Sequence, residues 1–242
     1  MTETKPKLAF SVSDCKGSVP VIIVAAGSSS RMQGVNKQFS CLFGVPVIAR
    51  SLLVFENHKD ISNIILVVRD EDIFEMQMLA KKYGITKLSD IVCGGNSRQE
   101  SVKKGLARVD KTATKLLIHD GARPLVTKEI IDGVINGLDS YKAVTCGVKV
   151  KDTVKVIDSN GVVEKTLPRE TLVAVHTPQG VILNDYINAV ESLENIETFT
   201  DDTSIMEAAN HKVFISQSSY KNIKITTPED IAVAEILLGD ED

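Results

Sequence analysis

The chain of 242 residues is 43% hydrophobic and 25% charged, the balance of a soluble globular protein long enough to bury one sizeable core. Its net charge of −4, with basic residues dispersed along the chain, excludes a protein built to track a nucleic-acid backbone. No apolar run approaches the roughly 18 residues that a bilayer span requires. Residues 1–18 are polar around one short Leu8-Ala9-Phe10 patch and read as a flexible tail rather than a signal peptide, so a cytoplasmic protein is expected. Cys15, Cys41, Cys93 and Cys146 form no C-x-x-C pair, and His58, His119, His176 and His211 lack metal-ligand spacing. Neither a zinc site nor a redox dithiol is implied, and thiols in a reducing compartment fit better.

Val19 to Phe39 reads VPVIIVAAGSSSRMQGVNKQF. The run Val21 to Val24 has the length and β-branched content of a central parallel strand. Ala25, Ala26 and Gly27 then leave the backbone bare enough for an anion to approach its N–H groups, and Ser28 to Ser30 offer hydroxyls. Arg31 and Lys37 place a planar fork and a point charge on one polyphosphate, where charge that develops during transfer needs compensation. This loop points to a nucleoside triphosphate. It is not a Walker A loop, because no Gly-Lys pair follows Gly27. Nor is it a dinucleotide fingerprint, because the second and third glycines are missing and Asp70 lies too far on to serve as its acid.

Apolar runs then alternate with helical patterns. Strands are expected at Ile64 to Val68, Ile91 to Cys93, Leu116 to Ile118 and Ala143 to Val148. Helices are expected at Pro46 to Phe55, Asp72 to Tyr83, Arg98 to Val109 and Lys128 to Leu138. This repeated βα order implies an α/β fold with a doubly wound, mostly parallel, Rossmann-like sheet. Ligands of such sheets sit outside the carboxyl ends of the strands, so the loops after Val24, Cys93 and Ile118 should converge.

The rhythm breaks between Lys149 and Gln179. Thr153 to Ile157 and Val162 to Leu167 flank Asp158-Ser159-Asn160-Gly161, a strong hairpin signal because Asn and Gly tolerate positive φ. An excursion of this length without a helix is unusual in an α/β domain, and a lone hairpin is marginal in water. Residues 150–179 are therefore expected to be an arm that packs on a second subunit, within a single domain spanning 19–242. A helical pattern resumes after Gln179. A last strand is expected at Asn222 to Ile225, followed by a helix opened by Thr227-Pro228-Glu229-Asp230.

The string AAGSSSRM with KQF after it resembles the nucleotidyltransferase signature of the sugar-phosphate pyrophosphorylase superfamily. CGGNSRQESV at Cys93 to Val102, HDGARP at His119 to Pro124, KDTVK at Lys151 to Lys155, TPQ at Thr177 to Gln179 and NIKIT at Asn222 to Thr226 narrow the resemblance. Together they are similar to the 2-C-methyl-D-erythritol 4-phosphate cytidylyltransferases of non-mevalonate isoprenoid biosynthesis. The similarity runs in order from Val19 to Leu238.

Several assignments follow from the resemblance alone. CTP and a polyol phosphate would be the substrates, and no nucleic acid or membrane would be involved. The enzyme would be a homodimer whose arm completes the partner's site. Arg31 and Lys37 match the loop cations that stabilise the α-phosphate and the leaving pyrophosphate, and Asp120 matches a magnesium-binding carboxylate. Gly94, Gly95, Asn96, Ser101 and Gly121 match the cytosine and ribose pocket, although Asn96 stands where the family carries Asp and Gly121 where Ala is usual. Lys224, Arg123 and Thr200 match the sugar-phosphate pocket, with Thr153 and Arg169 arriving from the arm of the other subunit. Ribitol 5-phosphate cytidylyltransferase shares the loop but diverges around HDGARP and the arm. A non-catalytic nucleotide-binding protein would be expected to have lost a cation or the metal carboxylate, and Arg31, Lys37, Asp120 and Lys224 are all kept. A serine hydrolase is excluded by the lack of a G-x-S-x-G elbow.

Overall fold

The first strand, β1 (Val19–Val24), is apolar at every position and sends alternate side chains into two cores. Val21 and Ile23 pack with Ile48, Phe55 and Val134, whereas Ile22 packs with Val67, Val102 and Tyr186. A strand buried on both faces must lie inside a sheet covered by helices on both sides. The computed structural model describes residues 18–27 and 36–239. In it, a short hairpin of β2 (Cys41–Leu42) and β3 (Val45–Pro46) leads into α1 (Val47–Glu56). There follow β4 (Ile61–Val68), α2 (Ile73–Lys82), β5 (Leu88–Cys93), α3 (Arg98–Leu106), β6 (Lys115–Asp120), α4 (Lys128–Gly137) and β7 (Ala143–Lys149). Beyond the arm strands β8 (Lys155–Ile157) and β9 (Val163–Thr166) come β10 (Val173–Ile182), α5 (Leu183–Ser192), α6 (Asp202–Ala208), β11 (Val213–Gln217) and α7 (Pro228–Gly239). Among the described residues no helix is long and apolar enough to cross a membrane.

The seven-stranded sheet has the order β11-β7-β10-β6-β1-β4-β5. β1 runs parallel to β4 and β6, β4 to β5, and β7 to β11, while β10 is antiparallel to both β6 and β7. The expected α/β, mostly parallel, doubly wound sheet is thus formed, with one reversed strand that the sequence reading did not place. Winding proceeds outward from β1 through β4 to β5 and then restarts on the other side of β1 with β6. That reversal opens a crevice at the carboxyl ends of these strands.

Three expectations are corrected. Asn222 to Ile225 is not a strand, because the last strand is β11. The segment instead crosses the mouth of the sheet, tied by the Ile225 N–H to the Ala122 carbonyl at 2.8 Å and by the Arg123 guanidinium to the Asn222 carbonyl at 2.7 Å. Val173 to Gln179, read as part of the arm, pairs with β7 inside the central sheet. In the hairpin turn only Gly161 adopts positive φ, at 83°. Asp158 makes the turn by accepting from the N–H groups of Asn160 and Val162. The hairpin itself forms where expected, with Ile157, Val162 and Val163 all more than half exposed.

Candidate functional site

A cavity of about 440 Å³ lies in the crevice. Ala26 and Gly27 from the loop after β1, Gly95 and Asn96 from the loop after β5, and Asp120 at the end of β6 form its walls. Lys37, Ser101 and Lys224 also line it. Motifs scattered from Ala26 to Lys224 therefore meet in one place because parallel strands end on the same edge.

The glycines act here mainly through shape. A Cβ on Gly94 would fall 2.3 Å from Ala26 Cβ and 3.0 Å from Ser101 Oγ, so the loops after β1 and β5 can touch only if this residue lacks a side chain. The N–H groups of Ala25, Gly94 and Gly121 donate to the carbonyls of Val67, Val68 and Val24. They extend the sheet and are not open to an anion, contrary to the expectation for Ala25. Ser97, not Ser101, caps α3, accepting from the Glu100 N–H at 3.0 Å, while the Glu100 carboxylate takes the Asn96 N–H at 2.7 Å. This reciprocal arrangement resembles a capping box. Ser101 lies one turn in, its hydroxyl donating to the Ser97 carbonyl and accepting from the Gly95 N–H. It fixes the loop's path at the cavity wall.

Asp120 is the electrostatic centre. Its Oδ1 accepts from Arg98 Nε at 3.1 Å and its Oδ2 from Lys224 Nζ at 2.7 Å. Burial alone would raise its pKa, but the charges of Arg98, Lys224 and Arg123 and the Lys224 hydrogen bond outweigh that and hold the carboxyl below its ordinary range. The Asp120 N–H donates to Thr177 Oγ1 at 3.0 Å. The Thr177 hydroxyl lies 3.1 Å from His119 Nδ1, and His119 Nε2 lies 3.3 Å from the Arg123 carbonyl. Since that carbonyl can only accept, His119 carries a proton on Nε2. Burial pushes it down to about 3. The HDGARP and TPQ strings are thus joined by a hydrogen-bond chain that positions Asp120.

The other expected residues lie elsewhere. Arg123 is buried against Asn222 and does not line the cavity. Thr200 is exposed ahead of α6. Thr153 and Arg169 are exposed on the arm, where Arg169 donates to the Lys151 carbonyl at 3.0 Å. None of these lines the cavity of its own subunit. Ser28 and Arg31 lie outside the described residues. Sequence reasoning missed Arg98, Thr177 and Asp202. Arg98 stood in plain view inside the GG-x-x-R-x-x-S string, but its partners are 22 positions away at Asp120 and beyond Thr200 at Asp202.

Residues 19–240 match the family model described as 2-C-methyl-D-erythritol 4-phosphate cytidylyltransferase. The chain belongs to that family. A relative of that name from Clostridium novyi is 45% identical, covering 90% of this chain and 95% of its own length, and one from Halalkalibacterium halodurans is 42% identical, covering 92% and 97%. The crystal structure of 4-diphosphocytidyl-2C-methyl-D-erythritol synthase from Anaerococcus prevotii superposes with a TM-score of 0.81 at 32% identity, covering 92% of this chain and 99% of that one. Membership in the cytidylyltransferase family makes the protein a nucleotidyltransferase.

The magnesium expected at Asp120 would find one ionised carboxylate there. Magnesium commonly keeps several waters and takes phosphate oxygens from its nucleotide, so one ionised carboxylate at the cavity wall suffices. Among the described residues, the cluster of three close metal-ligand side chains is His58, Asp60 and Asp132. There both His58 nitrogens are engaged, Nε2 with Asp132 and Nδ1 with the Asp60 N–H. That cluster is a satisfied structural network.

Proposed function

We propose that the protein transfers the cytidylyl group of CTP to 2-C-methyl-D-erythritol 4-phosphate, giving 4-diphosphocytidyl-2-C-methyl-D-erythritol and pyrophosphate in non-mevalonate isoprenoid biosynthesis. The convergence of Lys37, Asn96, Asp120 and Lys224 on one cavity, in a chain of this family, carries the reading. A phosphate oxygen of the polyol phosphate attacks the α-phosphorus of CTP in line. The bond from that phosphorus to the bridging oxygen breaks, and its electron pair leaves with pyrophosphate. No protein nucleophile is needed, so positioning and charge compensation carry the catalysis.

Lys37 and Arg31 compensate the charge on the α-phosphate and the departing pyrophosphate. Asp120 holds magnesium, which neutralises the triphosphate when bound. Asn96, Gly95 and Ser101 shape the nucleoside pocket, while Lys224 receives the polyol phosphate. Thr153 and Arg169 complete the site of a second copy, in a cytoplasmic homodimer. The exposed apolar residues of an otherwise coreless hairpin support this assignment.

The test is to supply methylerythritol phosphate and ribitol 5-phosphate separately with each of the four nucleoside triphosphates and magnesium, and to measure pyrophosphate release. Release with methylerythritol phosphate and CTP is expected. Preference for ribitol phosphate would overturn the substrate and leave the reaction class standing.

A further inference from the structure

Arg98 lies between two carboxylates that play different parts. Its Nε contacts Asp120 Oδ1 at 3.1 Å and its Nη2 contacts Asp202 Oδ2 at 2.8 Å. Asp120 lines the cavity; Asp202 is fully buried and does not. Asp202 is in turn anchored through its Oδ1 and its backbone N–H. Its Oδ1 accepts from the Tyr186 hydroxyl at 2.9 Å and its N–H donates to Gln179 Oε1 at 2.8 Å. The Gln179 amide donates to Thr145 Oγ1 and Asp201 Oδ2, and Asp201 caps α6 by accepting from the Ser204 N–H. Four charges thus alternate in sign from the cavity to the core: Lys224, Asp120, Arg98, Asp202.

We infer that Arg98 and Asp202 are positioning residues for the transfer: Asp202, anchored on α6, fixes the Arg98 guanidinium, and Arg98 fixes the Asp120 carboxylate. A buried ion pair is a poor device for stability alone, since apolar side chains of similar volume serve as well or better. It is a good device for aiming a carboxylate. Arg98 takes one oxygen from a fixed direction, leaving the other to Lys224 and the cavity. Arg98 itself reaches the cavity wall, and partners that orient a site carboxylate typically matter 10–100-fold to activity or metal affinity. Helix-borne support of this kind sets geometry better than a loop.

The inference rests on Asp120 acting in the transfer, and a mutant cycle separates the two claims. Asp202→Asn keeps the side chain's shape and its acceptor for Tyr186 while removing the charge that holds Arg98. It is expected to lower kcat by roughly 10–100-fold, the scale of a lost orienting partner, with the loss in kcat rather than KM. Affinity for Mn²⁺ in the presence of α,β-methylene CTP should fall with it. In the Asp120→Asn background the same change should cost nothing further, because the carboxylate it aims is gone. Tyr186→Phe, which removes one hydrogen bond and keeps the packing, should give a smaller loss with the same dependence, and it carries the cycle if Asp202→Asn does not fold.

Equal losses with and without the Asp120 carboxylate would mark a merely structural role and overturn the inference. So would unchanged kcat and Mn²⁺ affinity in the folded variants. Full activity in Asp120→Asn alone would instead remove Asp120 from the reaction, and the positioning role with it.

Discussion

Lys224 Nζ stands 2.7 Å from Asp120 Oδ2, across 104 positions of sequence. The proposed function gives the lysine to the polyol phosphate and the aspartate to the nucleotide's metal, so the two proposed halves of the site touch directly. A lysine charge 37% exposed and a carboxylate 11% exposed neutralise each other at the cavity wall.

Lys37 lines the same cavity and is assigned to the charge that builds on the α-phosphate and pyrophosphate. Lys37→Ala is expected to lower turnover at saturating substrates by at least about a hundredfold, the scale of removing one donor to a transition-state oxyanion. Steady-state pyrophosphate release measures it. Near-normal turnover would refute the role.

The arm predicts complementation. Arg169 is exposed and donates within its own arm, to the Lys151 carbonyl, while Lys37 belongs to the cavity of its own subunit. Refolding inactive Lys37→Ala together with inactive Arg169→Ala should restore part of the activity, because mixed dimers contain one intact site. If heterodimers form, as seen by mass, and the mixture stays inactive, the arm does not act in trans.

Legibility followed the range of the interactions. The βα rhythm, the hairpin and part of the cavity lining, among it Ala26, Gly27, Lys37, Gly95, Asp120 and Lys224, could be read because each depends on local periodicity or on residue placement within a short string. The reversed strand β10 could not. Val173 to Ile182 has no alternation of its own that distinguishes antiparallel from parallel pairing, and its direction is set by returning from the arm between β6 and β7. The Asn222 to Ile225 segment has the composition of a strand, but its hydrogen bonds go to Ala122, Arg123 and Thr177 instead of a neighbouring ladder. Arg98 was visible as a letter and hidden as a function, because its meaning comes from Asp120 and Asp202 on two other elements.

His119 makes stability depend on pH. Burial holds it at about 3 in the folded chain, against the usual 6.5. The unfolded chain therefore takes up the proton first. The stabilising effect is complete above pH 6.5 and is lost as pH falls from there toward about 3. For this one group the slope is about 1.4 kcal/mol per pH unit. His176, held at about 4 by burial and by the nearby Arg123 charge, acts in the same direction. Asp120 enters only below the ordinary carboxylate range, since its own pKa is depressed. Urea unfolding at pH 7 and pH 5 should show a clear loss for the native sequence and a smaller loss for His119→Gln. The difference between the two pH values is what counts, because the substitution also lowers stability at both. An equal loss in the two proteins would show that His119 does not carry this dependence.

Gly121 is matched to Ile48 on α1. A Cβ at position 121 would fall 2.7 Å from Ile48 Cδ1 and 3.3 Å from both Ala25 Cβ and Ile23 Cγ2, among side chains that are fully or almost fully buried. Gly121→Ala should therefore overpack this corner and cost about 1–3 kcal/mol. Ile48→Val deletes the Cδ1 that causes the clash and by itself should cost about 0.5–1.5 kcal/mol through the small void it leaves. Combined, the added methyl occupies the space the deleted one vacates, so the double variant should be more stable than the sum of the single losses allows. Urea denaturation of the three variants, at unchanged slope, measures the coupling. A neutral Gly121→Ala would mean that Ile48 can swing aside freely; strictly additive losses would mean that the clash lies with Ala25 and Ile23 instead.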